Sequence, residues 1–269
     1  MKAFILSAGF GSRMGSLTKE KPKCLIEING ETLLERHLKN LRSAGIDEVI
    51  INLHHKAEAV KEYLRENNNF DLEISISKES EIMGTGGALL HAKDLIGSDP
   101  FLLISGDIFT NYPFSKLIKK DWNLNFSWKN DGSPVEGLAY LVGISHLYPT
   151  SDQDKDFGWL HLNLVNSWSR FISPEEGGYT YAGIAVINPT LLEKAFRSKE
   201  DYKEKIFPIQ LWSDFLYDAA ITQRVVGESY IDEFDIHDIR QDGGIHVNIN
   251  TQEDIKTVEF ILNSDGKTK

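Results

Sequence analysis

The first 120 residues alternate short apolar runs with helical patterns, and this alternation restricts the fold more than any other feature. The apolar runs lie at 3–7, 24–29, 48–54, 72–77 and 101–105. The segments 32–45 and 56–67 between them carry apolar residues at helical spacing. Strands separated by helices of this length need crossover connections, which favour parallel pairing. The sequence therefore predicts an α/β fold, a single mostly parallel twisted sheet with helices on both faces.

The second half of the chain has a different pattern, with strands joined by loop-rich connections. Strands are predicted at 136–144, 158–164, 179–187 and 245–249, and a helix at 211–220. Thr251 and Asp254 have the spacing of a capping box for a last helix. We expect this half to complete the sheet and to add a smaller β-rich lid. The whole is then one domain over 1–263, followed by a flexible tail over 264–269.

Composition excludes several classes of partner. Lys and Arg total 29 against 40 Asp and Glu, a net charge of −11 with no basic run, which disfavours nucleic acid. Cys24 is the only cysteine, so neither an internal disulfide nor a cysteine-based metal cluster is expected, and a buried small residue is favoured over a nucleophile. The apolar stretch at the N-terminus is too short for a signal peptide, and no apolar run reaches transmembrane length. We therefore expect a cytoplasmic protein without a membrane partner.

Three glycine-containing turns follow predicted strands. They are Ala8 to Gly11, Gly84 to Gly87, and Gly106-Asp107. Open parallel sheets bind ligands beyond the carboxyl ends of their strands. We therefore expect the three turns to meet at one edge of the sheet and to form the binding site.

The first turn favours a triphosphate over a dinucleotide. A dinucleotide loop has the pattern G-x-G-x-x-G, but here Gly15 comes one place too late, and Glu27 lies inside a strand instead of ending one. Arg13 and Lys23 supply cations, which suit several phosphates better than one pyrophosphate bridge. An NAD(P)-dependent oxidoreductase is thus a disfavoured alternative, and ordinary surface charge is the alternative for the lysine.

The segment "LSAGFGSRMGSLTKEKPKCL" resembles the signature of the sugar-1-phosphate nucleotidylyltransferases: a strand, A-G-x-G-x-R-M, L-T, then P-K before an apolar stretch. Within that family the chain is most similar to the N-acetylmuramate-1-phosphate uridylyltransferases of cell-wall recycling. The resemblance implies a Rossmann-like nucleotidyltransferase fold with a nucleotide-binding half over 1–120 and a sugar-binding half over 121–263. It also implies a Mg²⁺-dependent reaction of a nucleoside triphosphate, UTP, with N-acetylmuramate 1-phosphate or a related hexose 1-phosphate. The implied products are an NDP-sugar and pyrophosphate. We expect a monomer or homodimer.

The same resemblance assigns roles by position. The nucleotide-binding positions, of which Arg13 and Lys23 are also catalytic, are Ala8, Gly9, Gly11, Arg13, Lys23, Gly84 and Thr85. The positions that face the sugar are Gly158, Tyr181 and Gly183. The magnesium ligands are Asp107 and Asn248.

The chain also departs from the family pattern. Ser16 and Cys24 replace prolines of the signature, and Asn248 stands where the muramate enzymes carry Asp. Backbone contacts from a glycine loop leave no signature of the base. Two alternatives therefore stay open: a catalytically silent relative that binds a nucleotide or sugar nucleotide, and a guanylyl, cytidylyl or thymidylyl transferase acting on another sugar or alcohol phosphate.

Overall fold

The computed structural model describes residues 1–15, 17–120, 122, 127–128, 134–135, 137–145, 159–162, 168–172, 179–194, 208–216, 219, 225–231 and 245–265. The strands are β1 Ala3–Leu6, β2 Glu27–Ile28, β3 Glu31–Thr32, β4 Glu48–Leu53, β5 Glu73–Lys78, β6 Phe101–Ser105, β7 Ile108–Thr110, β8 Ser127–Trp128, β9 Pro134–Val135, β10 Ala139–Ser145, β11 Trp159–Leu162, β12 Trp168–Ile172, β13 Tyr179–Ile187, β14 Val225–Ile231 and β15 His246–Asn248. The α-helices are α1 Leu17–Glu20, α2 Leu33–Ala44, α3 Ala57–Glu66, α4 Gly84–His91, α5 Lys93–Ile96, α6 Ser115–Ile118, α7 Thr190–Lys194 and α8 Gln252–Asp265. Short 3-10 turns lie at Ser12–Met14, Lys23–Leu25 and Asn68–Asp71, and a π-helical segment at Trp212–Leu216.

A nine-stranded mixed sheet forms the centre of the molecule. Its main path runs β12-β11-β13-β6-β1-β4-β5, with β10 paired to β13 and β14. The first-half strands β1, β4, β5 and β6 are parallel, whereas β13 joins β6 antiparallel. The predicted α/β fold, a mostly parallel sheet with helices, is confirmed.

Both faces of the sheet are covered, which explains why its central strands are apolar throughout. Phe4 of β1 belongs to a buried cluster with Leu89 of α4 on one face. Its neighbour Ile5 belongs to a second cluster with Leu38 of α2 and Val60 of α3 on the other. Alternate residues of one strand thus anchor helices on opposite faces. Among the described segments, every helix is too short or too polar to span a membrane.

The strand predicted over 24–29 is wrong at its start. Lys23–Leu25 form a 3-10 turn, and only Glu27–Ile28 of the segment pair as a strand, one arm of the hairpin β2–β3. The hairpin turn is Asn29-Gly30, both with positive φ (49° and 82°), as expected of a two-residue turn. The local reason is Pro22, whose extended backbone leads directly into the 3-10 turn and points Lys23 towards the sheet edge.

The C-terminal strand and helix return to that edge. β15 pairs antiparallel with β7, the strand that follows the Gly106-Asp107 turn. The predicted capping box is confirmed, because Thr251 N donates to Asp254 Oδ2 at 2.7 Å and Asp254 N donates to Thr251 Oγ1 at 3.3 Å. A third buried cluster joins Met14 of the first loop to Ile249 and to Val258 of α8. The helix continues to Asp265, two residues into the predicted tail, and 266–269 lie outside the described residues.

Candidate active site

A cavity of about 270 Å³ opens at the carboxyl ends of the parallel strands. The sequence-predicted residues that line it are Ala8, Gly9, Lys23, Gly84, Thr85 and Asp107. A smaller cavity of about 100 Å³ adjoins it, lined by Arg13, Tyr181, Gly183 and Asn248. Thr85 and Asp107 line both cavities. The three predicted turns therefore do converge on one edge, with Asp107 where the two cavities meet.

Lys23 and Asp107 form an ion pair at this junction. Lys23 Nζ lies 2.7 Å from Asp107 Oδ2, and the Lys23 side chain is 12% exposed against 40% for Asp107. Burial would raise the pKa of Asp107, but the charge and hydrogen bond of Lys23, a backbone hydrogen bond and the charge of Arg13 together outweigh this effect, so the pKa lies below its usual range. The carboxylate is consequently ionised, as a metal ligand must be.

Sequence reasoning missed Asn250, which holds the two cations together. Asn250 Oδ1 accepts hydrogen bonds from Lys23 Nζ at 2.9 Å and from Arg13 NH2 at 3.1 Å. The residue is 3% exposed, and its backbone N donates to Asp254 Oδ2 at 2.8 Å. Its partners lie 227 and 237 positions away in the chain, so no local pattern could have revealed it.

Asp107 and Asn248 have the donor chemistry that Mg²⁺ prefers. The carboxylate and the amide line the same small cavity, because Asn248 pairs with Ile108 across β15 and β7. Ile249 N donates to Asp107 O at 2.8 Å and fixes the strand end beside the Gly106-Asp107 turn. The residues fit magnesium, which takes oxygen ligands and only one or two from protein.

The glycine loop of α4 is built against the segment 208–211. Gly84 has φ +78°, and a Cβ there would lie 2.4 Å from Ile209 O. Thr85 Oγ1 accepts from Leu211 N at 2.9 Å, which ties the loop to the second half of the chain. Gly84 and Thr85 line the larger cavity beside Gln210. The loop is thus a rigid wall of this cavity.

Glu79 and Asn52 are two further residues that sequence reasoning missed. Both are 3% exposed and both line the larger cavity. Asn52 Oδ1 accepts from Ser7 N at 2.7 Å, and Asn52 Nδ2 donates to Glu79 Oε1 at 2.7 Å. Met83 N donates to Glu79 Oε2 at 3.2 Å. The sequence signal that could have indicated them is a polar residue at or just beyond the carboxyl end of a strand, which is also the position of Asp107.

The smaller cavity has an aromatic wall. Tyr181 stacks on Trp212 with ring centroids 6.0 Å apart and planes at 18°, and burial raises the pKa of Tyr181. Gly183 has φ +72°, and a Cβ there would lie 2.8 Å from Ser105 Oγ, so the strand can approach β6 this closely only with glycine. Gly158, the third residue predicted to face the sugar, lies outside the described residues.

The first glycine loop has one part that shapes the turn and one part that lines the larger cavity. Gly11 lines neither cavity; at φ +64° it turns the loop, and its carbonyl accepts from Thr18 Oγ1 at 2.9 Å. Ala8 and Gly9 line the larger cavity directly. Cys24 is buried, as predicted, and burial raises its pKa to about 12, so it is not a nucleophile at neutral pH.

Comparison with known proteins adds an independent finding. The nucleotidyl transferase family matches residues 2–127, just under half of the chain. The mannose-1-phosphate guanylyltransferase catalytic subunit beta of Dictyostelium discoideum is 27% identical over 219 residues, covering 81% of this chain and 58% of the relative. The chain thus spans little more than half the length of the curated relatives it matches.

Solved structures match over nearly the whole chain. HddC from Yersinia pseudotuberculosis, complexed with GMP-PN, has a TM-score of 0.67 at 19% identity and covers 97% of this chain and 99% of its own. The inositol-1-phosphate CTP transferase from T. maritima has a TM-score of 0.70 at 15% identity and covers 99% and 96%. At such identities the likeness shows the fold, which is the Rossmann-like fold of nucleotidyltransferases. Residues 2–127 therefore match the nucleotidyl transferase family, and the curated relative named above is a mannose-1-phosphate guanylyltransferase subunit.

Proposed function

We propose that the protein is a sugar-1-phosphate nucleotidyltransferase, which joins a nucleoside triphosphate to a sugar 1-phosphate and releases pyrophosphate. The observation that carries the proposal is the meeting of Arg13, Lys23 and Asp107 where two cavities adjoin. One cavity has a glycine-rich wall that suits a nucleotide, and the other has an aromatic wall that suits a sugar. By this proposal 1–120 is the nucleotide-binding half and 121–263 the sugar-binding half of one domain.

The chemistry asks for charge neutralisation and orientation. An oxygen of the sugar phosphate attacks the α-phosphorus, and the bond to the pyrophosphate oxygen breaks. Because the attacking oxygen is already ionised at neutral pH, no general base is needed. Arg13 and Lys23 would bring the two anions together and stabilise the charge that grows on the phosphates. Mg²⁺, held by Asp107 and Asn248, would supply further positive charge to the phosphate oxygens.

Glu79 supports guanine as the base. Each of its carboxylate oxygens accepts one hydrogen bond from the protein, from Asn52 Nδ2 and Met83 N respectively. A carboxylate has about four acceptor sites, so each oxygen can accept one more bond. Guanine presents two adjacent donors, N1–H and N2–H₂, which match the two oxygens. Uracil presents a single N3–H between two carbonyls, which the carboxylate would repel. The guanylyltransferase relatives support the same choice.

The second candidate is UTP with N-acetylmuramate 1-phosphate. Its support is the resemblance of the signature segment to the uridylyltransferases, since the curated relative named above is a guanylyltransferase subunit. For the sugar, a hexose 1-phosphate of the mannose type follows from the same relatives.

Glu79→Gln separates the two bases. The amide keeps the size of the side chain but replaces one acceptor oxygen with a donor, which guanine N1–H or N2–H₂ would meet unfavourably. We expect kcat/KM for GTP to fall at least about tenfold while that for UTP does not fall. Glu81→Gln, at an exposed acid two residues away, is the matched control and should leave both unchanged. An equal effect of Glu79→Gln on both nucleotides would remove Glu79 from base recognition.

A further inference from the structure

The two cations of the site converge on one neutral oxygen. Asn250 Oδ1 lies 2.9 Å from Lys23 Nζ and 3.1 Å from Arg13 NH2, and Lys23 also contacts Asp107 at 2.7 Å. Two positive groups that contact the same oxygen lie close enough to repel each other. Their approach therefore needs an acceptor between them. An amide oxygen offers two lone pairs and can accept from both.

The choice of an amide over a carboxylate matters for an anionic ligand. With Asp107 ionised, Arg13, Lys23 and Asp107 leave one net positive charge towards the cleft. A carboxylate in place of Asn250 would cancel that charge and would compete with a phosphate for the same N–H donors. The amide holds the cations in place without neutralising them.

Asn250 is itself fixed on both sides. Before it, Ile249 is fully buried, and its N–H donates to Asp107 O at 2.8 Å. After it, the Thr251–Asp254 capping box of α8 receives the Asn250 backbone N–H on Asp254 Oδ2. The amide therefore sits on a rigid junction between β15 and α8.

We propose that Asn250 is a positioning residue that sets Arg13 and Lys23 side by side for a polyphosphate, an inference that rests on the proposed function. Asn250 acts through the two cations and leaves recognition of the base to the larger cavity. Its loss should therefore weaken binding of the phosphates and leave binding of the nucleoside unchanged.

The test compares the wild-type chain with Asn250→Ala and the isosteric Asn250→Asp by calorimetry without divalent metal. The probes are GTP and UTP with their nucleosides, guanosine and uridine. For the triphosphate that binds the wild type more tightly, we expect Kd to rise about tenfold in Asn250→Ala. In Asn250→Asp we expect at least the same rise, with a weaker dependence on salt. The nucleoside Kd should stay within about twofold in both variants, as for a group outside the base cavity.

Thr251→Ala is the matched structural control. It removes the hydroxyl of the capping box, so we expect a lower melting temperature. Because the Asn250 amide is still present, triphosphate affinity should not change. If Asn250→Ala does not fold, Asn250→Asp decides, because it preserves the volume of the side chain. Unchanged triphosphate affinity in the variants, or a parallel loss of triphosphate and nucleoside, would overturn the inference while the proposed function stood. A wild-type chain that bound neither triphosphate would overturn the inference, whereas the proposed function is tested separately by pyrophosphate release with Mg²⁺ and each nucleoside triphosphate.

Discussion

Two lysines of one short segment, Lys21 and Lys23, have different environments. Lys21 is 61% exposed and pairs with Glu27 on the surface, whereas Lys23 is 12% exposed and lies between Asp107 and Asn250. Pro22 separates them and directs the second lysine into the cleft. Sequence alone left both as possible surface charges. The contacts distinguish the lysine available for phosphate from the one that is solvated.

Lys23→Ala should lower kcat about 10²-fold, because the ammonium opposes charge that is larger in the transition state than in the bound substrates. KM for the triphosphate should change less than kcat. Lys21→Ala, in the same segment, is the control and should stay within about twofold of wild type, as expected for an exposed ion pair. Steady-state rates of pyrophosphate release give kcat for the wild type and both variants. A kcat of Lys23→Ala within threefold of wild type would show that Lys23 has no catalytic role.

Asn248 has a role that a magnesium titration tests. An amide oxygen can ligate Mg²⁺ but lacks the charge of a carboxylate, so Asn248→Asp should lower the Mg²⁺ concentration needed for half-maximal rate. Asn248→Ala should raise that concentration, and Asp107→Ala should nearly abolish turnover. If the titration curves of wild type and Asn248→Asp coincide, Asn248 is not a ligand.

At the scale of elements, α2 and β15 each contribute a buried histidine beneath the site. His37 and His246 are 1% and 2% exposed, and among the described residues the ring nitrogens of His246 have no hydrogen-bond partner. Burial lowers the pKa of His37 to about 4, with Arg36 adding to the effect, and lowers that of His246 to about 3. The elements therefore pack around two histidines that are neutral at pH 7.

Acid should destabilise the protein through these histidines. Below about pH 6.5 the unfolded chain binds protons that the folded chain does not, so stability falls as pH decreases from about 6.5 towards about 4. Each histidine contributes a slope of up to about 1.4 kcal/mol per pH unit. His37→Leu should reduce the slope of unfolding free energy against pH by about that amount, measured by urea denaturation. His55→Gln, at an exposed position, should keep the wild-type slope, and an unchanged slope in His37→Leu would contradict the account.

The start of α4 depends on glycine for two separate reasons. Gly84 has a positive φ, and a Cβ would meet the backbone of Ile209, whereas Gly45 at the end of α2 has φ +94° with nothing within 4 Å. Gly45→Ala should cost about 1–2 kcal/mol from backbone conformation alone. Gly84→Ala should cost about 1–3 kcal/mol more because of the contact with Ile209. Chemical denaturation gives the unfolding free energy of both variants. An equal loss of stability in the two would show that the backbone around Gly84 moves away from the added Cβ.

At the scale of the molecule, the first half was predictable because its pattern is local. The spacing of Leu34, Leu38 and Leu41 and the stop at Gly45 predict α2, and the apolar run over 101–105 predicts β6. Pairing of distant segments was not predictable from period alone. For example, β13 pairs antiparallel with β6, although more than 70 residues of the chain separate these two strands.

The residues of the site also divide into those with a local sequence pattern and those brought together by the fold. The glycine turns and Asp107 carry a local signature, and the resemblance to a family assigned them roles. Asn250, Glu79 and Asn52 are single polar residues, and Asn250 contacts the remote Lys23 while Glu79 and Asn52 contact each other, so only the folded chain brings these contacts to the cleft. Their roles, and those of the residues assigned from the signature, are proposals for the experiments above.

One assay tests whether the protein transfers a nucleotide to a sugar phosphate, as proposed. The most direct measurement mixes the protein with Mg²⁺, each nucleoside triphosphate in turn and a panel of sugar 1-phosphates that includes mannose 1-phosphate and N-acetylmuramate 1-phosphate, and follows pyrophosphate release. We expect release that requires both substrates and the metal, is fastest with GTP, and is slowed about 10²-fold in Lys23→Ala. No release with any pair, together with thermal stabilisation by NAD⁺ or NADP⁺ and by no triphosphate, would contradict it.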